Sequence, residues 1–328
     1  MSQVAWRNTF KLIFGNYIMN GLTGIEKVTY GVDDMSLSCK FFSDWGLNLI
    51  KDKADIKVLE TLEKSQIILR KTSDPQLPKA IEEGPTVREV IWGVSNQEAL
   101  NTFIDKISST VDITWGDDGI PRCTDPNGLS IGFQVTQCQK ADVKGTPSNT
   151  YDQIFRVDLP APVYDRARPL NISHVVFFVE DLEAHERFYI DLLGFNITDA
   201  YPGRGFFSRC VEEGTHHNLF LLKVPNRKKG INHVSFMLRD IYEVVGGGLH
   251  FSGCQWDTLV GPGRHPISSA FFWYFQCPGG GQVEYYSDED YLTRDWKPRL
   301  NLEPTPENYA EWAIVGGLDL ETRRQKLT

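Results

Sequence analysis

Apolar and polar positions follow a repeating order along the chain, and this order predicts strands that alternate with amphipathic helices. The segment NISHVVFFVEDLEAHERFYIDLLGFNI, which starts at Asn171, consists of an apolar run, an acidic pair, a helical pattern and a glycine. Asp181 is placed to cap the helix, and Gly194 is placed to adopt the left-handed conformation after it. Apolar residues recur on one face of the helical part, which indicates packing on a core.

The same order occurs a second time in the chain. The segment GIEKVTYGVDDMSLSCKFFSDWGLNLI, which starts at Gly24, resembles the one that starts at Asn171. Two further pairs of similar segments start at Val87 and Ile231 and at Asp125 and Cys277, with similar separations. The whole half is therefore duplicated.

Each half contains two strand–helix–strands units, and we expect an α+β protein of four βαβββ modules. Two such modules in each domain would form an open barrel. The Pro-rich segment Val157–Leu170 reads as the linker. We therefore expect an N-terminal domain at residues 1–156 and a C-terminal domain at residues 157–328.

Composition narrows the classes of partner. The 328 residues carry a net charge of −9, which argues against nucleic acid as a partner, since phosphate binding needs a basic face. The longest uncharged stretch, Pro266–Val283, is interrupted by Pro278 and three glycines and reads as strand, turn and strand instead of a membrane span. The six cysteines form no CxxC pair, and no signal-peptide pattern is recognised at the N terminus, so we expect a cytoplasmic protein.

The histidines are distributed unevenly between the two copies. All seven lie after residue 173. His174 and His233 fall on the first strands of the two modules of the second half, and Glu284 follows the glycine run on the closing strand. Two imidazoles and one carboxylate on one face of a metal form the facial triad of non-haem Fe(II) oxygenases. Any one of the three by itself would read as an ordinary strand residue.

The first copy serves as an internal control for this hypothesis. We expect Lys27 in the place of His174, Glu89 in the place of His233 and Ile131 in the place of Glu284. These three side chains do not form a chelating set. The first domain is therefore expected to lack a metal site.

One segment carries a more specific pattern. GRHPISSAFFWYFQCPGGGQVE contains His265, Tyr274, a Pro-Gly-Gly turn and Glu284, and it follows the pair His216–His217. Together with the candidate ligands, this pattern resembles the type I extradiol ring-cleavage dioxygenases of the vicinal oxygen chelate superfamily, over about residues 24 to 290. These include catechol and dihydroxybiphenyl dioxygenases.

The resemblance implies the vicinal oxygen chelate (glyoxalase-like) fold and a role for each matching residue. His174, His233 and Glu284 would bind Fe(II), with Mn(II) also acceptable to such ligands. His217 would be the acid–base residue, and Tyr274 and His265 would line the site and bond to substrate oxygen. The enzyme would cleave a catechol-type ring with O₂ during aromatic degradation, and we expect a homo-oligomer that binds no membrane.

Two other functions stay open at this point. A glyoxalase-like lyase or isomerase would use the metal for proton transfer, although such enzymes often carry further carboxylate ligands and only Glu284 is assigned here. A non-catalytic protein that binds aromatic compounds is the other alternative.

The remaining histidines are expected to be structural, with His185 on the exposed side of a helix, His250 at a helix end and His216 on the strand face opposite His217. Arg294 in the C-terminal tail is a weaker candidate for meeting an anionic substituent.

Overall fold

The first half of the chain forms an open, mixed sheet of eight strands. A computed structural model describes residues 21–318. In chain order the first half contains β1 (Leu22–Val32), α1 (Met35–Asp44), β2 (Asn48–Asp52), β3 (Ile56–Glu60), β4 (Gln66–Lys71), β5 (Thr86–Val94), α2 (Gln97–Ile107), β6 (Thr114–Trp115), β7 (Pro121–Thr124) and β8 (Ser130–Val135). The strands are ordered β2-β3-β4-β1-β5-β8-β7-β6.

The second half forms a nine-stranded sheet and a separate two-stranded ribbon. Its elements are β9 (Asn171–Phe178), α3 (Leu182–Glu186), a π-helical continuation (Arg187–Leu192), β10 (Asn196–Tyr201), β11 (Gly205–Arg209), β12 (Gly214–Thr215), β13 (Leu219–Leu222), β14 (Gly230–Met237), α4 (Ile241–Gly253), β15 (Thr258–Arg264), β16 (Phe271–Gln276), β17 (Gln282–Ser287), β18 (Tyr291–Leu292), α5 (Pro306–Tyr309) and β19 (Trp312–Val315). The large sheet has the order β10-β11-β13-β9-β14-β17-β16-β15-β19, and β12 pairs with β18.

The two large sheets match strand for strand, with β19 added at one edge of the second. In each sheet the first strands of two modules run antiparallel at the centre, as β1 with β5 and β9 with β14. Each of these strands also pairs in parallel with the last strand of its own module. The predicted α+β fold of four βαβββ modules is therefore confirmed.

Each module helix begins at a short polar residue that accepts backbone hydrogen bonds. The helix-capping side chains are those of Asp34, Asn96, Asp181 and Asp240. Such caps satisfy amide groups that have no partner inside the helix. Asp181 caps α3 as predicted, and Gly194 has the expected positive φ of 79° after the π-helical turns.

Helices α1 and α4 lie between the halves and join their cores. Trp45, at the end of α1 in the first half, is fully buried and stacks on Tyr285 of β17 with ring centroids 3.4 Å apart. The Tyr285 hydroxyl donates a 2.6 Å hydrogen bond to the Trp45 carbonyl. Phe41 of α1 packs edge-on against Phe251 of α4. One face of the second sheet is therefore sealed by the first half, and the opposite face is left for a site.

The connection between the halves is longer than predicted. Residues 136–170 contain no helix or strand, so the predicted linker Val157–Leu170 is only its later part. The earlier part touches both halves: the Gln139 amide donates to the Glu63 carbonyl and the Thr146 amide to Asp240 Oδ2. Across residues 21–318, every helix is too short or too polar to cross a bilayer.

Candidate active site

Three side chains from adjacent strands converge on the open face of the second sheet. His174 on β9 lies opposite Ser235 on β14, which in turn lies opposite Glu284 on β17. His233 lies two residues before Ser235 and faces the same side. The distance from Glu284 Oε2 to Nε2 is 3.0 Å for His174 and 3.4 Å for His233, and the two Nε2 atoms are 3.2 Å apart.

These separations fit a metal ion. Ligand atoms at about 2.1 Å from a metal lie roughly 3.0 Å apart at octahedral cis positions and roughly 3.4 Å apart at tetrahedral ones. The three side chains are nearly inaccessible to solvent, and Glu284 Oε2 is a buried oxygen without a hydrogen bond. A carboxylate oxygen and two imidazole nitrogens gathered this closely have no protein donor to satisfy them, so the residues present fit a divalent metal.

The protonation states favour metal binding. Burial lowers the pKa of His174 well below its usual range and also lowers the pKa of His233, so both rings are neutral near pH 7. Burial opposes ionisation of Glu284, but the close imidazoles of His174, His233 and His265 hold its pKa well below the usual range. His233 Nδ1 donates a 2.6 Å bond to Asn232 Oδ1, which leaves its Nε2 lone pair free for a metal.

His217 lies beside the three candidate ligands. Its ring centroid is 4.0 Å from that of His174, and both residues line the same cavity. His217 Nδ1 is 3.2 Å from His216 Nδ1 and 3.0 Å from Glu289 Oε1. The structure thus brings the predicted acid–base residue to the cavity, next to a carboxylate that sequence reasoning did not identify.

His216 connects His217 to a buried ion pair. His216 is fully buried, and its Nε2 donates a 2.7 Å bond to Asp199 Oδ2. Burial lowers the pKa of His216 despite this bond, so the ring is neutral and its Nδ1 is an acceptor. The hydrogen on His217 therefore belongs on Nδ1, and the Nε2 of His217 is the basic atom. Arg299 holds Asp199 from the other side through Nε at 2.9 Å.

His265 and Tyr274 form a second pair at the cavity. His265 Nδ1 lies 2.6 Å from the Tyr309 carbonyl and must donate to it, so its Nε2 accepts from the Tyr274 hydroxyl at 3.1 Å. Burial raises the pKa of Tyr274 well above its usual value, and the negative charge of Glu284 adds to this. Tyr274 therefore remains a neutral hydrogen-bond donor.

The C-terminal segment closes one side of the cavity with α5. Thr305, Asn308 and Tyr309 line the cavity. Arg294 does not line it, because its guanidinium Nε lies 2.8 Å from Glu212 Oε2 and the side chain is largely exposed. The suggestion that Arg294 meets a substituent is therefore wrong.

The expectation for His185 is wrong as well. Its side chain is 1% exposed, with Nδ1 2.6 Å from the Asp181 carbonyl. The helix face that carries it packs on the first half, where Asp125 Oδ2 is 3.8 Å from His185 Nε2. His250 lies in the last turn of α4, as predicted.

Glu289 is the main cavity residue that sequence reasoning missed. Its side chain is 1% exposed and lines the cavity, and with His174 and His217 it forms a second cluster of atoms within 4.8 Å of one another. The sequence feature that could have indicated Glu289 is the acidic run SDED that begins at Ser287. Asn232, which stands directly before His233 in the sequence, also lines the cavity.

The register of the first sheet corrects one predicted correspondence. Glu284 of β17 lies opposite Tyr274 of β16. In the first sheet, β8 and β7 take the places of β17 and β16, and Gly132 lies opposite Arg122 there. Gly132 is therefore the counterpart of Glu284. Ile131 is its neighbour in the strand and faces the other side of the sheet. The predicted correspondence of Ile131 to Glu284 is therefore wrong by one residue.

A guanidinium occupies the matching position of the first half. Lys27 and Glu89 do stand in the places of the two candidate histidine ligands, since their pairing across β1 and β5 matches that across β9 and β14. Arg122 Nε lies 2.7 Å from Glu89 Oε1, and Arg122 Nη1 lies 2.7 Å from Asp118 Oδ1. A fixed positive charge on a side chain thus balances the carboxylates there.

Comparison with known proteins agrees with this architecture. The chain is 28% identical to metapyrocatechase 2 of Cupriavidus necator over 187 residues, which cover 55% of this chain and 56% of that protein. It is 26% identical to biphenyl-2,3-diol 1,2-dioxygenase of Paraburkholderia xenovorans (strain LB400), over 62% of this chain and 70% of that one. The match to the first of these relatives thus spans only about half of its length.

Among solved structures, the Mn(II)-bound glyoxalase from Novosphingobium aromaticivorans superposes with a TM-score of 0.71 at 21% identity, covering 90% of this chain and 92% of that one. This likeness shows a shared fold. Residues 171–285 match the model of the Glyoxalase/Bleomycin resistance protein/Dioxygenase superfamily. The segment that carries His174, His233 and Glu284 is therefore a domain of the Glyoxalase/Bleomycin resistance protein/Dioxygenase superfamily.

Proposed function

We propose that this protein is an Fe(II)-dependent extradiol dioxygenase that cleaves a catechol-type aromatic ring with O₂. The observation that carries the proposal is the convergence of His174, His233 and Glu284, with their ligand atoms 3.0–3.4 Å apart, at one end of a cavity of about 290 Å³. Three protein ligands leave positions for both hydroxyls of a catechol and for O₂. The relatives named above act on catecholic rings by name, which supports this choice of reaction.

Each residue of the cavity has a distinct task in this proposal. Bound Fe(II) supplies Lewis acidity toward the catechol hydroxyls and the redox chemistry that O₂ requires. The three ligands fix where the substrate hydroxyls lie, which lowers the entropic part of the barrier. His217 takes a proton from a substrate hydroxyl at Nε2 and later returns it, since its Nδ1 hydrogen is directed to His216. The neutral Tyr274 hydroxyl, which His265 holds in place in the free site, turns its hydrogen from His265 Nε2 to the substrate oxygen that gains negative charge.

The metal assignment is tested by one matched pair of variants. Glu284→Gln removes the charged ligand, whereas Gln282→Ala alters a cavity residue two positions earlier on the same strand. Metal analysis should find about one divalent ion per chain in the wild type and in Gln282→Ala, and little in Glu284→Gln. Oxygen uptake with catechol should be lost with the metal. Full metal content in Glu284→Gln would rule out the triad, and reconstitution with Fe(II) or Mn(II) would identify the ion that supports turnover.

A glyoxalase-like proton-transfer enzyme is the second candidate function, and Glu289 favours it. This buried carboxylate places a second acidic side chain within 4.8 Å of the atoms offered by His174 and His217. Such an enzyme would convert its substrate without consuming O₂. Stoichiometric O₂ uptake with ring cleavage would exclude it. Tight catechol binding without any turnover would instead indicate a binding protein.

Three broader features belong to the same proposal. We place the domain boundary at residue 156, within the segment that has no regular structure. Exposed apolar side chains on that segment, among them Phe155 and Val163, support assembly into a homo-oligomer, which light scattering would test. The six free cysteines of the described chain fit a reducing compartment, and we place the enzyme in the cytoplasm.

A further inference from the structure

The cavity has an apolar end that the proposed chemistry does not use. Val176 lies two residues after His174 on β9 and faces the same side, and it pairs with Phe220 on β13. Phe220 pairs with Phe207 on β11. All three residues line the cavity. Leu222, two residues after Phe220 on β13, lines it as well. We call these four residues, Val176, Phe207, Phe220 and Leu222, the apolar wall.

The apolar wall has a defined shape. The rings of Phe207 and Phe220 are stacked, with centroids 3.8 Å apart and planes 8° apart. Gly205 makes this possible, because a Cβ at that position would come within 2.9 Å of Phe220 Cε2 and 2.4 Å of the Leu221 carbonyl oxygen. The wall therefore presents a pair of stacked aromatic rings one residue row away from the candidate metal ligands.

The acidic and basic side chains that line the cavity all have one sign. Among the described residues that line it there are two carboxylates, Glu284 and Glu289, and neither lysine nor arginine. Both oxygens of Glu289 are buried and lack hydrogen bonds, although Oε1 lies 3.0 Å from His217 Nδ1. The nearby guanidinium of Arg299 is engaged by Asp199 and by the Ile267 carbonyl. A carboxylate on the substrate would find no counter-charge here.

We propose that the preferred substrate is a catechol whose ring substituent is uncharged and apolar, and that the enzyme discriminates against catechols that carry a carboxylate. This inference rests on the proposed ring-cleavage function and adds the substrate class. Apolar groups gain free energy in proportion to the area they bury on the wall. A buried carboxylate without a partner loses its hydration and meets the negative charge of Glu289. A cationic substituent would lose its hydration at the apolar wall without a hydrogen-bond partner there, which offsets its attraction to Glu289.

A series with a common skeleton tests the charge preference. The methyl ester of 3,4-dihydroxyphenylacetate, the free acid and 3,4-dihydroxyphenethylamine differ mainly in charge, and unsubstituted catechol is the reference. We expect kcat/KM for the ester to exceed that for the acid by at least about 100-fold, and that for the amine by about 10-fold or more. Equal values for ester and acid, or a preference for either ion, would overturn the inference.

A variant pair tests whether the wall sets this preference. Leu222→Arg places a cation at the outer end of the wall, and Leu222→Gln makes a similar polar change without charge. Relative to Leu222→Gln, we expect Leu222→Arg to raise the acid-to-ester ratio of kcat/KM by about 10-fold. An unchanged ratio in a folded, metal-loaded protein would place the selecting group elsewhere and refute the proposal.

The two proposals fail in different ways. If catechol itself is not cleaved, the ring-cleavage function is wrong, and calorimetric binding of the ester and the acid still measures the charge preference. If catechol is cleaved and the acid is the better substrate, only the substrate class is wrong.

Discussion

Replacing His217 by Phe separates proton transfer from metal and substrate binding. Phe has a ring of similar size, so it retains the packing against His174, at 4.0 Å between centroids, and against Phe207, at 5.1 Å. It removes the Nδ1 hydrogen bond to His216 and the basic Nε2. The change therefore deletes the proposed acid–base function and leaves the shape of the cavity intact.

The magnitude follows from these contacts. Loss of a positioned acid–base group lowers kcat by roughly 10²–10⁴-fold. The lost hydrogen bond to His216 costs about 1 kcal/mol of folding free energy. The carboxylate of Glu289 also loses its polar neighbour at 3.0 Å, which adds to this cost. The double variant His217→Phe/Glu289→Gln removes that charge and should recover part of the stability without recovering kcat.

Three measurements check this prediction on anaerobically prepared, Fe(II)-loaded protein. Metal analysis and calorimetric binding of catechol in the absence of O₂ should give values close to the wild type. Steady-state O₂ uptake should show the loss in kcat, with KM changed little. His250→Phe is the control, because His250 lies in the last turn of α4 outside the cavity, and its kcat should stay within about 2-fold of the wild type.

Two results would refute the reasoning. Turnover by His217→Phe close to that of the wild type would assign the proton step to another group. Loss of the metal in this variant would make His217 a ligand, together with Glu289 as in the second cluster of the cavity.

Three further outcomes are expected. Burial lowers the pKa values of His174, His216 and His233 and keeps them neutral, so the unfolded chain takes up protons below about pH 6.5 that the folded metal-free protein does not. The free energy of unfolding should therefore fall between pH 7 and pH 5 by up to about 1.4 kcal/mol per pH unit for each such proton, and the melting temperature should fall with it. A pH-independent melting temperature would contradict this. Trp45→Ala should reduce the free energy of unfolding by about 3–5 kcal/mol in urea denaturation, because the ring is fully buried against the second half, whereas Trp45→Phe should cost clearly less. Arg122→Met should cost about 3–5 kcal/mol because the buried carboxylate of Glu89 loses its ion-pair partner. The control Asp118→Asn, at a half-exposed carboxylate, should cost about 1 kcal/mol or less, and equal effects would show that the Arg122–Glu89 pair is not the stabilising one.

Several parts of the site illustrate why register limits prediction from sequence. His174 and His233 were matched to Lys27 and Glu89 because the long apolar strands around them align without gaps. The turns before Glu284 and before its counterpart have the same length but different sequences, CPGGG and DPNGL, and with so few shared residues the alignment slipped by one residue, to Ile131. A one-residue shift in a strand moves a side chain to the opposite face of the sheet. Only the pairing of Gly132 with Arg122 shows the true counterpart.

Contacts between distant segments account for the other errors. His185 looked exposed on a helical pattern, but that face of the helix packs on the first half near Asp125. Glu289 follows the end of β17, where an acidic run ordinarily indicates a solvated turn. The chain instead returns toward the cavity there and buries the carboxylate.

The sequence by itself determined the four modules, the duplication and the three candidate ligands. These features depend on short-range patterns: strand and helix periodicity, capping residues such as Asp181 and the placement of His174 and His233 on strands. The tertiary structure alone decided which side chains surround the ligands, namely Glu289, the Asp199–Arg299 pair and the apolar wall. Those neighbours come from strands, turns and a C-terminal segment of the second half that meet only when its sheet is assembled, because their proximity depends on strand register and on the path of the chain between strands.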